Sequence, residues 1–191
     1  MQGIKTDCSF IVQWVLVTFG GFVVSLLLIE IGEKPDIGAL EGVTGGAAIG
    51  LAQFLILRQR ISPAWGWILA SVLVWGLMGG SGLGAIGWVA PRTGNIALRA
   101  VYGTIHGAQL GMWIGASQWL ILRNKIPKAQ RWIWISSFCW AIAMSLGWIV
   151  GGIFRLAFHL FLGEIVGLGV AWLVVSITTG VALVGCQDSL E

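Results

Sequence analysis

Apolar stretches of membrane-spanning length recur along this chain, at about residues 9–30, 38–58, 64–88, 98–122, 131–153 and 162–185. Each is long enough to cross a hydrocarbon core about 30 Å thick as a helix. Polar or turn-forming residues separate them. Glu30 to Asp36 is charged and holds Pro35. Arg58 to Pro63 is a short basic turn, Pro91 to Gly94 breaks the third gap, and Arg123 to Arg131 is basic with Pro127. Around Arg155 to His159 the boundary is weakest, and a continuous broken helix also fits. Of the 191 residues only 10% are charged and 57% are hydrophobic, against about 25% charged in a soluble domain. So short a chain has too little interior to bury that much apolar surface, so a bilayer has to act as the apolar phase. The expected fold is all-α and integral to the membrane: six transmembrane helices in one bundle, a single domain over residues 1–191. The first stretch follows Lys5 without a small-x-small cleavage site and reads as a signal anchor rather than a removable leader.

Lysine and arginine set the orientation. Lys5, Arg58, Arg60, Arg123, Lys125, Lys128 and Arg131 fall on the side shared by both termini; Lys34, Arg92, Arg99 and Arg155 fall on the other. The excess places both termini in the cytoplasm by the positive-inside rule.

The chain also repeats itself. "GAAIGLAQFLILRQRISPAWGWILAS" from Gly46 matches "GMWIGASQWLILRNKIPKAQRWIWIS" from Gly111 at a constant offset of 65, and the repeat extends over 41–80 and 106–145. Gln53 aligns with Gln118, Arg58 with Arg123, Trp67 with Trp132, Ser71 with Ser136 and Trp75 with Trp140. A weaker third copy appears in the odd helices, where Trp14, Thr18 and Phe22 match the two aromatic–hydroxyl–aromatic stripes. Spacing of i, i+4, i+8 puts each stripe on one helix face. The even helices carry small residues at the same spacing: Gly42, Gly46, Gly50; Gly107, Gly111, Gly115; Gly163, Gly167, Ala171. Such stripes let backbones approach closely. These patterns predict three pseudo-repeated helical hairpins with the small-residue even helices inside, in a parallel rather than an inverted repeat.

Ionisable groups within the spans are candidates for function. Glu41 lies seventeen residues before Arg58 and His106 seventeen before Arg123, so both are expected near the outer face, with Glu164 at a similar height. A ring of these three would suit a pigment ligand site, since His and Glu can bind a metal or the magnesium of a chlorophyll. The simpler reading pairs them with Arg92, Arg99, Arg155 or His159. Gln53 and Gln118 are candidates for a polar path, or for hydrogen-bonded glue between helices. Ser71, Ser136, Thr178 and Thr179 are expected to bond back to their own helices, and the aromatic stripes to be packing or lipid-facing surface.

Phosphate-binding, hydrolase and metalloprotease motifs are missing from the sequence, and general acid–base chemistry has few candidates. Cys8, Cys139 and Cys186 form no CxxC pair, and no basic run suggests nucleic acid. The expectation is a non-enzyme with no metal site.

The repeated "GLAQFLILR…WGWILAS" and "GASQWLILR…WIWIS", with "SITTGVAL" in the last stretch, resemble a family of uncharacterised multi-pass membrane proteins abundant in cyanobacteria, marked by G-xxx-G-x-x-QW-x-x-LR repeats. The resemblance covers roughly residues 40–185, and the first copy departs from it with Gln53-Phe54. It implies no activity, but it implies a bacterial plasma or thylakoid membrane, where chlorophyll or another pigment is available as a cofactor. The functional expectation is a structural or assembly component in the lipid bilayer that self-associates or joins a larger membrane complex, holding pigment or lipid. The alternative is a channel or carrier for a small solute or ion, and a third reading is an enzyme acting on lipid.

Overall fold

The structure, a computed structural model, describes residues 2–29, 38–61, 64–81 and 85–188. The charged gap from Glu30 to Asp36, with Lys34 and Pro35, and Pro63 of the first basic turn lie outside the described residues. The described residues form six α-helices: α1 (Gln2–Ser25), α2 (Ala39–Leu57), α3 (Trp65–Gly80), α4 (Ile96–Leu122), α5 (Arg131–Phe158) and α6 (Leu162–Asp188), with a 3-10 turn at Ile86–Trp88 between α3 and α4. Four are long and apolar enough to cross a membrane: Cys8–Ser25, Ala39–Leu57, Arg131–Phe158 and Leu162–Gly185.

The boundaries correct the sequence reading in three places. The span expected over 64–88 is a helix of only 16 residues, about 24 Å long at about 1.5 Å per residue. Its expected end instead holds the 3-10 turn, where Ala85, Ile86 and Trp88 are buried to within 2%. Buried non-helical backbone is tolerated when protein surrounds it. Trp88 donates its indole N–H to Ser25 Oγ at 2.8 Å, and Trp172 donates to Gly87 O at 3.0 Å. Helix α4 is long enough to span but is not among the four apolar ones, because Arg99, His106, Gln109 and Gln118 interrupt it. Helix α5 runs on to Phe158 and is stopped by His159, whose backbone is left-handed at φ 54° and whose N–H closes on Arg155 O at 2.8 Å. Asn95 caps α4 by accepting the Leu98 N–H at 3.1 Å, which meets one of the donors left open in a first turn.

Each helix packs on its neighbours in the chain, and α6 returns to α1, so the contacts close a ring. The expected inside position of the small-residue helices is not what forms. Their stripes are buried pairwise against the next helix. A Cβ on Gly42 would strike the Trp75 carbonyl, and one on Gly111 the Ser136 carbonyl, so α2 lies hard against α3 and α4 against α5. In α6, Gly167 meets the backbone of Gly147 and Gly151 in α5.

What fills the interior is the aromatic stripes of the odd helices, which are packing rather than lipid-facing surface. One cluster gathers Phe22, Trp75, Trp88, Trp140 and Trp172; a second gathers Phe10, Trp14, Trp67 and Trp132 with Leu57 and Leu122. In the first, Trp172 stacks on Phe22 at 5.3 Å and meets Trp140 edge-on at 5.0 Å. Aromatic pairs favour these offset and edge geometries. The outer face is left to aliphatic side chains such as Leu16, Leu51, Leu73, Leu77 and Leu146.

Candidate functional site

Thr18, Ser71 and Ser136 each stand between the two aromatics of their stripe, so the two clusters are separated by a polar layer. There Trp67 donates its indole N–H to Gln53 Oε1 at 2.8 Å and Trp132 donates to Gln118 Oε1 at 2.8 Å. Trp14 donates to Thr179 Oγ1 at 3.1 Å. Gln53 also donates through Nε2 to Thr18 Oγ1 at 3.2 Å. The two glutamines, expected as path or glue, each tie an even helix to an odd one through these bonds. Thr178, Thr179 and Ser71 bond back to Val174, Val175 and Trp67 carbonyls as expected. Ser136 does not: its Oγ is buried without a partner.

A chamber of about 30 Å³ opens within this layer, lined by Ser136, Gln118, Gln53, Thr179 and faces of the surrounding tryptophans. Its lining holds no His, Cys, Asp or Glu. The chamber offers neutral hydroxyls and amides and nothing that could act as a general base.

The three residues expected to form an outer ring are not brought together. Among the described residues no three His, Cys, Asp or Glu side chains are close enough to share a metal ion. Glu41 sits in the first turn of α2 and accepts the Gly38 N–H at 2.9 Å, which is a helix-capping role. Glu164 is 2% exposed and meets Arg99 head-on, with Nη1 to Oε2 at 2.8 Å and Nη2 to Oε1 at 2.7 Å. Arg155 Nη1 adds a third contact to Oε1 at 3.3 Å. Arg99 is itself 1% exposed, and its remaining donors reach the carbonyls of Thr93, Trp148 and Pro91 at 2.6, 3.3 and 3.2 Å. The guanidinium thus fastens the segment before α4 to α5 and α6. Gly151 and Gly152 make the room: a Cβ at Gly152 would stand 2.6 Å from Arg99 Cδ. His106 lies against Trp148, ring centroids 5.9 Å apart, and its Nδ1 and the Trp148 indole nitrogen are both buried without partners. Of the three proposed pigment ligands, Glu41 and Glu164 are engaged elsewhere and His106 alone keeps an unpartnered ring nitrogen.

Sequence reasoning missed the buried 3-10 turn, Thr179 as acceptor for Trp14, and Trp172 in the first aromatic cluster. Trp88 ends a glycine-rich run that reads as the tail of a span. Thr179 lies in α6, where the repeat is too weak to align residue by residue. No family profile, curated protein or solved structure matches the chain.

Proposed function

We propose that this protein is a non-catalytic structural component of a bacterial membrane, built to associate with itself or with a larger membrane complex. On this reading all six helices cross the bilayer with both termini in the cytoplasm. The six form three repeats: α2 with α3, α4 with α5, and α6 with α1. The observation that carries it is the engagement of the polar groups. Gln53, Gln118, Glu41, Glu164 and Arg99 are all bonded within the fold, and tryptophans fill the interior on either side of one small chamber. Such an interior supports a scaffold, whose exposed aliphatic and aromatic surface is the part left to meet lipid and partners. Purification from the native membrane in mild detergent, with mass and absorption read together, tests it. Several copies, or copies with other chains, are expected in one particle. A monodisperse single chain would sink the reading. Visible bands at fixed stoichiometry, lost in His106→Ala, would make the scaffold a pigment holder.

The second reading, a channel or carrier, is favoured by the chamber itself. Flux of an ion or small solute into liposomes, abolished when Gln53→Leu and Gln118→Leu are combined in a folded protein, would replace the scaffold reading with it.

A further inference from the structure

We propose that the chamber between the two aromatic clusters is an internal water site, holding one or two water molecules hydrogen-bonded to Ser136 Oγ. The three tryptophan–acceptor contacts around it differ. Gln53 has two arms: Oε1 takes the indole N–H of Trp67 and Nε2 donates to Thr18 on the odd helix before it. In the pair formed by α6 and α1 the acceptor is Thr179, and the odd helix before α6 is α5, which carries Ser136. Threonine has one hydroxyl. Thr179 accepts from Trp14 and gives its proton to Val175 O at 2.6 Å, so no arm remains for Ser136. Ser136 cannot be treated as a copy of Ser71 either, which bonds back to Trp67 O at 2.9 Å, because Ser136 makes no such bond. Ser136 Oγ thus remains an unpartnered oxygen, 1% exposed, in the wall of the chamber.

Size and chemistry agree with water. About 30 Å³ exceeds the roughly 10–15 Å³ that one water needs. Ser136 and the Gln118 amide supply polar partners at the wall, and a buried water commonly makes two to four such bonds. An apolar void would stay dry, but this one has hydroxyls and amides among the tryptophan, isoleucine and valine side chains that line it. No charged group faces it, so a lone ion would lack a counter-charge.

Pulsed X-ray radiolysis of the full chain in lipid nanodiscs tests this, because hydroxyl radicals formed from bound water oxidise the side chains beside it. Trp132 and Trp140 line the chamber, whereas Trp88 is as deeply buried but lies outside it. The expected result is several-fold more oxidation at Trp132 and Trp140 than at Trp88. In Thr179→Gln the new amide fills the chamber, and oxidation falls to the Trp88 level. Equal oxidation of all three in the unmodified protein overturns the proposal, as does unchanged oxidation in a folded Thr179→Gln. Should that variant not fold, Ser136→Ala decides. A wet chamber loses a water ligand and the melting temperature holds or falls; a dry one is relieved of an unpartnered hydroxyl and the melting temperature rises.

Discussion

Removing Glu164 should destabilise this protein more than any other single change in charge. The Glu164→Leu variant leaves Arg99 with two of its five N–H donors unmet, because those two reach only the carboxylate. The charge itself remains, since a guanidinium does not deprotonate in a protein, and at 1% exposure water does not reach it. Breaking a buried pair from one side costs about 3–5 kcal/mol. Arg99→Met should cost less, toward the lower end of about 3–5 kcal/mol, because Glu164 keeps Arg155 at 3.3 Å. The double variant removes both charges and leaves apolar groups of similar volume, so it should recover at least about 2 kcal/mol relative to the sum of the singles. Reversible unfolding by SDS in mixed micelles reads all three. The reasoning fails if either single costs under about 1 kcal/mol, as an exposed pair would, or if the two losses simply add. Gly152→Ala supplies a second approach, since its methyl would push Arg99 Cδ from 2.6 Å away. It should weaken the fold with Glu164 present and do so much less in the double variant.

Gln118→Leu and Gln53→Leu should each cost about 1 kcal/mol or a little more by the same unfolding assay, the range for hydrogen bonds between membrane helices; a neutral result would mean that the indole donors of Trp132 and Trp67 find other acceptors. Gly111→Ala should cost about 1–3 kcal/mol by forcing α4 off α5, while Gly20→Ala, with nothing within 4 Å of the new methyl, should be neutral; equal effects would refute the close-packing account. Trp88→Ala should cost about 3–5 kcal/mol, and trypsin should then cut at Arg92 faster than in the parent protein.

The membrane class was legible because apolar runs of that length have no other home, and the basic turns placed the helix breaks at Arg58 and Arg123 well. The end of the third helix was not legible from hydropathy alone. The sequence is apolar enough to carry the third span to residue 88, yet α3 ends at Gly80 and Trp88 inserts instead into the aromatic cluster. Glu164 and Arg99 are 65 residues apart, and the sequence could offer Arg99 only as one of four candidate partners. The glutamine roles were half legible: their repeat spacing marked them, but only the fold shows that each amide oxygen is occupied by an indole. Which stripe faces inward was misread because both glycine and aromatic stripes recur at i, i+4, i+8, and periodicity gives a face without saying what it meets.

The contact between α6 and α1 orders events during synthesis. Trp14 finds its acceptor on Thr179, in the last helix of the chain, whereas Trp67 and Trp132 find theirs on the helix made just before them. Two of the three pairs can therefore dock as soon as their second helix is made. The third waits until α2 to α5 have been made, on the order of ten seconds or more at about 5–20 residues per second. Throughout that interval α1 presents an unsatisfied indole and a bare helix face to whatever lies beside it. An insertase or lipid that shields α1 would then govern the yield of folded protein, and a stall within α6 would leave an open ring rather than a shorter bundle.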